Sequence, residues 1–143
     1  MRALRTWRSV GILTGEQPLT SFSSDAGTRA RVLPLWGQVF RGADEAERAT
    51  LAARRSWGHV GAAFAALLCE PGAIERARGI HDEFAEWFRA EIGPQGDGVA
   101  LRLRLPAAAV LTAIRLCAEA EILPIGQAAW DQVQAALMKS LRA

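Results

Sequence analysis

In 143 residues the chain has no tyrosine, a single lysine (Lys139), two cysteines and two histidines. Each shortage removes a class of protein. Cys69 and Cys117 lie far apart in helical surroundings, so they build neither a disulfide framework nor a thiolate metal site, and both read as buried thiols. His59 and His81 have no partner at metal-ligand spacing, and the HxxxH, CxxC and HExxH patterns are missing. No apolar run approaches the roughly 20 residues of a membrane span. The opening stretch, MRALRTWRSVGILTG, is basic but has only four consecutive uncharged, mostly apolar residues after Ser9 (Val10–Leu13), too few for a signal peptide. The expectation is a cytoplasmic protein without membrane contact. The phosphate-cradling GxxxxGK(S/T) loop, GxGxxG and the GxSxG elbow are also lacking. The chain by itself therefore carries no complete catalytic constellation.

What is present is a chain of single-domain length, half of it hydrophobic, which is ample for a core. Abundant alanine favours helix. Charge is unevenly placed. Residues 1–55 hold nine arginines and five acids, for +4, and residues 56–143 hold eight basic groups and ten acids, for −2. The arginine-rich first third suits a phosphate partner, nucleotide or nucleic acid, or else is a solvated surface in which arginine replaces lysine.

Periodicity predicts about two strands followed by four or five helices, a mostly α fold with a small β component. TWRSVGILTG reads as a strand buried on both faces through Val10–Leu13. QPLTSFSSDAG reads as one short helix, with Pro18 in its first turn and Gly27 as its C-terminal cap. TRARVLPLWG is the second strand candidate, with Arg29, Arg31, Leu33 and Leu35 on one face and Pro34 at an edge or end. Residues 1–42 would thus form a strand-rich edge and residues 43–143 a helical region. Asp44 and Glu47 form a capping-box pattern, and Leu51, Trp57, Val60, Phe64 and Leu68 keep helical spacing, interrupted at Gly58 and Gly61. The helix from Pro71 presents Ile74, Ala77, His81, Phe84 and Phe88 on one stripe, with Ile80 and Trp87 beside it, and GPQGDG ends it. Residues 106–122 read as helix with Pro106 at its first position. Residues 99–105 alternate like a strand and stay open between the two states. Ile125, Ala129, Val133, Leu137 and Leu141 mark the last helix.

Candidate functional residues are few. Thr14 and Glu16 end the first strand candidate, and ligands of open parallel sheets bind beyond strand carboxyl ends. Arg29 and Arg31 open the second, where a guanidinium can reach a phosphate across a subunit boundary. The alternatives are a loop acid and a solvated arginine pair. His81 reads as a hydrogen-bonded core residue, and His59 as one that bonds a freed carbonyl at a helix break. The tryptophans, Trp7, Trp36, Trp57, Trp87 and Trp130, are spread singly and read as core or interface anchors, not as a base-stacking platform.

WRSVGILTGEQPL, GTRARVLPLWG and SWGHVGAAFAALL, in that order, resemble the C-terminal part of the domain-of-unknown-function 927 family, helicase-like or primase-associated ATPases of phages, plasmids and integrated elements. Gly15 and Glu16 match the first block. Gly27, Arg31 and Pro34 match the second. Trp57, Gly58, Gly61 and Phe64 match the third, with tryptophan where tyrosine is common. LRLPAAAVLTAIRLCAEAEILPIG is similar to the family's last helices, from whose pattern Pro106 departs. The resemblance implies the C-terminal remnant of an α/β ATPase, whose phosphate-binding loop and acidic metal-binding strand lie upstream. It implies catalytic roles for Thr14, Glu16 and Arg31, the last as an arginine finger, and a cofactor-binding role for Arg29. ATP and Mg would bind only with an upstream ATPase segment, and the isolated chain would be inactive. The partner would be that segment or a second copy, with DNA a further candidate. The competing expectation is a self-contained helical homodimer that binds proteins or nucleic acid. A small hydrolase built on Glu16 and His81 would lack a nucleophile.

Overall fold

The computed structural model describes Ile12 and residues 19–22, 25–35 and 40–142. Among them there is no strand. A 3₁₀ turn at Leu19–Phe22 precedes six helices: α1 (Ala26–Arg29), α2 (Ala43–Arg55), α3 (His59–Leu68), α4 (Ala73–Ile92), α5 (Gly98–Glu119) and α6 (Gln127–Leu141). The mostly helical expectation holds. The first strand candidate lies outside the described residues except for Ile12, which is exposed. The second is corrected. Its opening forms the single turn of α1, and Val32–Leu35 is irregular chain whose Val32 amide donates to the Arg29 carbonyl at 3.3 Å. A strand needs neighbours to satisfy its backbone, and one or two strands alone are marginal in water. Gly27, expected as a helix cap, sits inside α1.

The helical hairpin α4–α5 dominates the packing, and α6 closes it. Ala85, Phe88, Leu103, Ala107, Ala108, Leu111, Leu137 and Leu141 form one buried cluster. Ala107 and Ala108 are fully buried. Their small side chains let the helix axes approach, and Phe88, Leu111 and Leu137, each under 2% exposed, fill the space beside them. Burying each of these three is worth about 1.5–3 kcal/mol. The expected stripe of α4 is rotated: Ile80, Ala85 and Phe88 are buried, whereas Ile74 is exposed. In α6 the buried residues are Leu137, Ser140 and Leu141, and Ala129 faces solvent.

Gly93 ends α4 at φ 73°, a left-handed backbone that costs glycine nothing. Four residues later the Asp97 carboxylate accepts the Ala100 amide at 2.7 Å and starts α5. The open stretch 99–105 is thus helical, and Pro106 lies inside α5 instead of at its start. Proline removes one backbone donor there. The helix continues because Ala100, Leu103, Ala107, Ala108, Leu111 and Leu116 bury a long stripe that spans the proline.

α2 starts at Ala43, but not by the expected capping box. Asp44 lies in the first turn, and Glu45 Oε2 accepts the Arg41 amide at 2.7 Å. Ser56–Gly58 then separates α2 from α3, with Gly58 at φ 84°. Gly61 does not break the helix and lies within α3. Ahead of the helices, Leu33 packs against the core cluster and the Ser140 hydroxyl donates to the Pro34 carbonyl.

Candidate functional site

Three places gather chemically capable side chains. The first is α1 and its exit. Arg29 occupies its last turn and is half-buried. Arg31 is exposed, and its Nη1 donates to the Gly27 carbonyl at 3.2 Å. Two matched residues of the second sequence block, Gly27 and Arg31, thus touch each other. Thr14 and Glu16 lie outside the described residues.

A second gathering point is the groove where α4, α5 and the start of α6 meet. Phe84, Arg115, Glu119, Gly126, Trp130 and Gln134 line a space of about 450 Å³. Phe84 and Trp130 stand with ring centroids 5.7 Å apart, and the Arg115 guanidinium lies 6.0 Å from the Phe84 centroid, in cation–π range. Arg115 also holds Glu119 and Glu83 at 3.0 Å each, and Glu119 in turn takes Arg76 at 2.6 Å. The hydrogen bond to Glu119, opposed by partial desolvation and aided by Glu83, raises the Arg115 pKa above its ordinary value. Two arginines balance two carboxylates here, so the groove offers aromatic walls and little net charge. The Arg115–Glu119 contact follows an i, i+4 spacing that sequence can show. The Glu83–Arg115 and Arg76–Glu119 contacts join different helices, and sequence spacing gave no signal of them.

The third place is the α2–α3 turn. Neither α2 nor α3 has a buried residue. Helix α3, HVGAAFAALL, carries no acid and no arginine or lysine along ten residues. A helix that short is marginal in water on its own; Phe64, Leu67 and Leu68 are half-buried where α3 touches α4, and the rest of the helix is exposed. Trp57 in the turn is 79% exposed. Gly58 after it takes the left-handed backbone that starts α3. Arg54 and Arg55 close α2, both exposed, and no described carboxylate pairs with either. Of the core or interface anchors expected, Trp87 and Trp130 pack against the core, Trp57 does not, and Trp7 and Trp36 lie outside the described residues. His59, expected to bond a freed carbonyl, is exposed at the start of α3 and makes no side-chain hydrogen bond among the described residues.

His81 is half-buried, not a core residue. Its Nε2 faces the Leu105 carbonyl of α5 and its Nδ1 faces Asp82. Cys117 is buried, and burial raises its thiol pKa, whereas Cys69 is exposed against expectation. Among the described residues no three of His, Cys, Asp and Glu converge. No helix among the described residues is long and apolar enough to cross a membrane. Comparison with protein-family models, curated proteins and solved structures gave no match.

Proposed function

We propose that this chain is the helical C-terminal part of a mobile-element helicase- or primase-type ATPase, inactive alone and completed by a segment that carries the phosphate-binding loop. The observation that carries the reading is the sparsely covered α3: ten residues without an acid, arginine or lysine, of which Phe64, Leu67 and Leu68 are half-buried and the rest exposed. It starts within the Trp57–Gly58–Gly61–Phe64 block on which the family resemblance rests. An apolar helix left open in this way is a surface made to be covered by protein.

In this reading Arg31 supplies an arginine finger, Arg29 assists nucleotide binding, and Thr14 and Glu16 stand at the edge of the ATPase sheet. ATP and Mg belong to the completed assembly, which supplies the phosphate cradle that this chain lacks.

The test begins with the DNA upstream of Met1, read for a frame encoding GxxxxGK(S/T). The encoded segment, mixed with this chain, is then assayed for ATP turnover. Turnover that requires both components and falls at least tenfold with Arg31→Ala is the expected result. Turnover indifferent to this chain would overturn the reading. A stable homodimer built on α3 that ignores the ATPase segment would replace it with the self-contained interaction protein.

A further inference from the structure

We infer that the α2–α3 turn is a contact for single-stranded nucleic acid, in which Trp57 stacks on a base and Arg54 and Arg55 take the flanking phosphates. The inference goes beyond the ATPase reading and stands whether or not the chain works with an ATPase.

The turn combines what such a contact needs. A base presents a flat π-face, so an unencumbered aromatic ring accepts any base. Trp57, 79% exposed, offers that ring. Backbone phosphates need cations not already neutralised. Arg54 and Arg55 have no carboxylate partner among the described residues. Acids are also missing from the surrounding sequence. From Arg48 through Cys69 there are three arginines, Arg48 included, and no Asp or Glu, so the segment is positive without compensation.

The helix dipole of α2 accounts for cations in its last turn. It does not account for an indole held in water beside them. Burial would normally be worth about 1.5–3 kcal/mol for a large apolar side chain, and Trp57 forgoes it. Gly58, at φ 84°, turns the chain immediately after the indole, so α3 starts without covering it. A protein partner would also take a tryptophan flanked by arginines. The uncompensated charge favours a polyanion.

The experiment is fluorescence anisotropy of the full chain with a labelled oligothymidylate of about 20 nucleotides, from about 50 to about 200 mM salt. The expected result is binding at low salt that weakens as salt rises. Trp57→Ala should weaken it about tenfold and Trp57→Phe much less, because phenylalanine keeps the stacking face. The double variant Arg54→Ala/Arg55→Ala should flatten the slope of log K against log salt by about 1.4, or 0.7 per lost phosphate contact. Circular dichroism checks that each variant keeps its helices, and the phenylalanine variant keeps the test decisive if the alanine one does not. No binding at low salt would overturn the inference, as would wild-type binding by both alanine variants. So would sedimentation in which Trp57→Ala dissolves a protein assembly while leaving oligonucleotide affinity unchanged.

Discussion

His81 Nε2 lies 3.2 Å from the carbonyl oxygen of Leu105, the residue before Pro106. A carbonyl only accepts, so Nε2 carries the proton and the imidazole ties α4 to α5 where proline has thinned the helix ladder. Replacing His81 by alanine should cost about 1 kcal/mol, the usual net value of such a bond. His81→Gln, which keeps a donor of similar reach, should cost less. Urea unfolding followed by circular dichroism measures both, and equal losses would mean that packing, not the hydrogen bond, is what His81 contributes.

Asp97 offers a second check. Its side chain accepts the Ala100 amide in the first turn of α5. Asp97→Ala should destabilise the protein by about 1 kcal/mol, and Asp97→Asn or Asp97→Ser should restore most of it. The midpoint of thermal unfolding would report the difference.

Gly58 and Gly61 should respond in opposite directions. Gly58 sits at φ 84°, so Gly58→Ala forces a side chain into left-handed backbone and should cost about 1 kcal/mol. Gly61 lies inside α3 with open space where a Cβ would stand, and Gly61→Ala should stabilise by up to about 1 kcal/mol. A denaturation series on both variants tests the pair. Stabilisation by Gly58→Ala would show that the turn is not built as described.

The two thiols should react at very different rates. Cys69 is exposed, and Cys117 is buried with its pKa raised by desolvation. Ellman's reagent should titrate one thiol quickly and the other only on unfolding, and Cys69→Ser should abolish the fast phase. The sign of the pH effect follows. Below the ordinary thiol pKa of about 8.5, Cys117 is protonated in both states. Above it the unfolded chain ionises first, so stability falls as pH rises. Cys117→Ala should lose less stability over that alkaline range than the parent chain.

The long helices were legible from spacing because their apolar residues recur on one face. The helix from Pro71 and its stop at Gly93 could be read directly, although the buried face turned from Ile74 toward Ala85, which repacks against the alanines of α5. The start of α5 was hidden because Leu101, Leu103 and Leu105 alternate like a strand. Only Leu103 is buried, and the tertiary stripe through Leu111 decides the state. The strand expected at 28–37 does not form over the described residues 28–35, for a different reason. Its alternation is real, but pairing partners are a property of the assembly and not of the segment. Of the candidate site, Arg29 and Arg31 were visible as residue types. The exposure of Trp57 was not, since an indole at helical spacing reads as core until its neighbours are placed.

The bond from the Ser140 hydroxyl to the Pro34 carbonyl, with Leu33 seated on the core, joins positions more than a hundred residues apart. On the ribosome the stretch around Leu33 emerges long before its berth exists. It must wait, undocked, until α6 has been synthesised and laid against the hairpin. Proteolytic nicking at Leu33 and Pro34 during translation should therefore be fast, and should slow once α6 has left the exit tunnel.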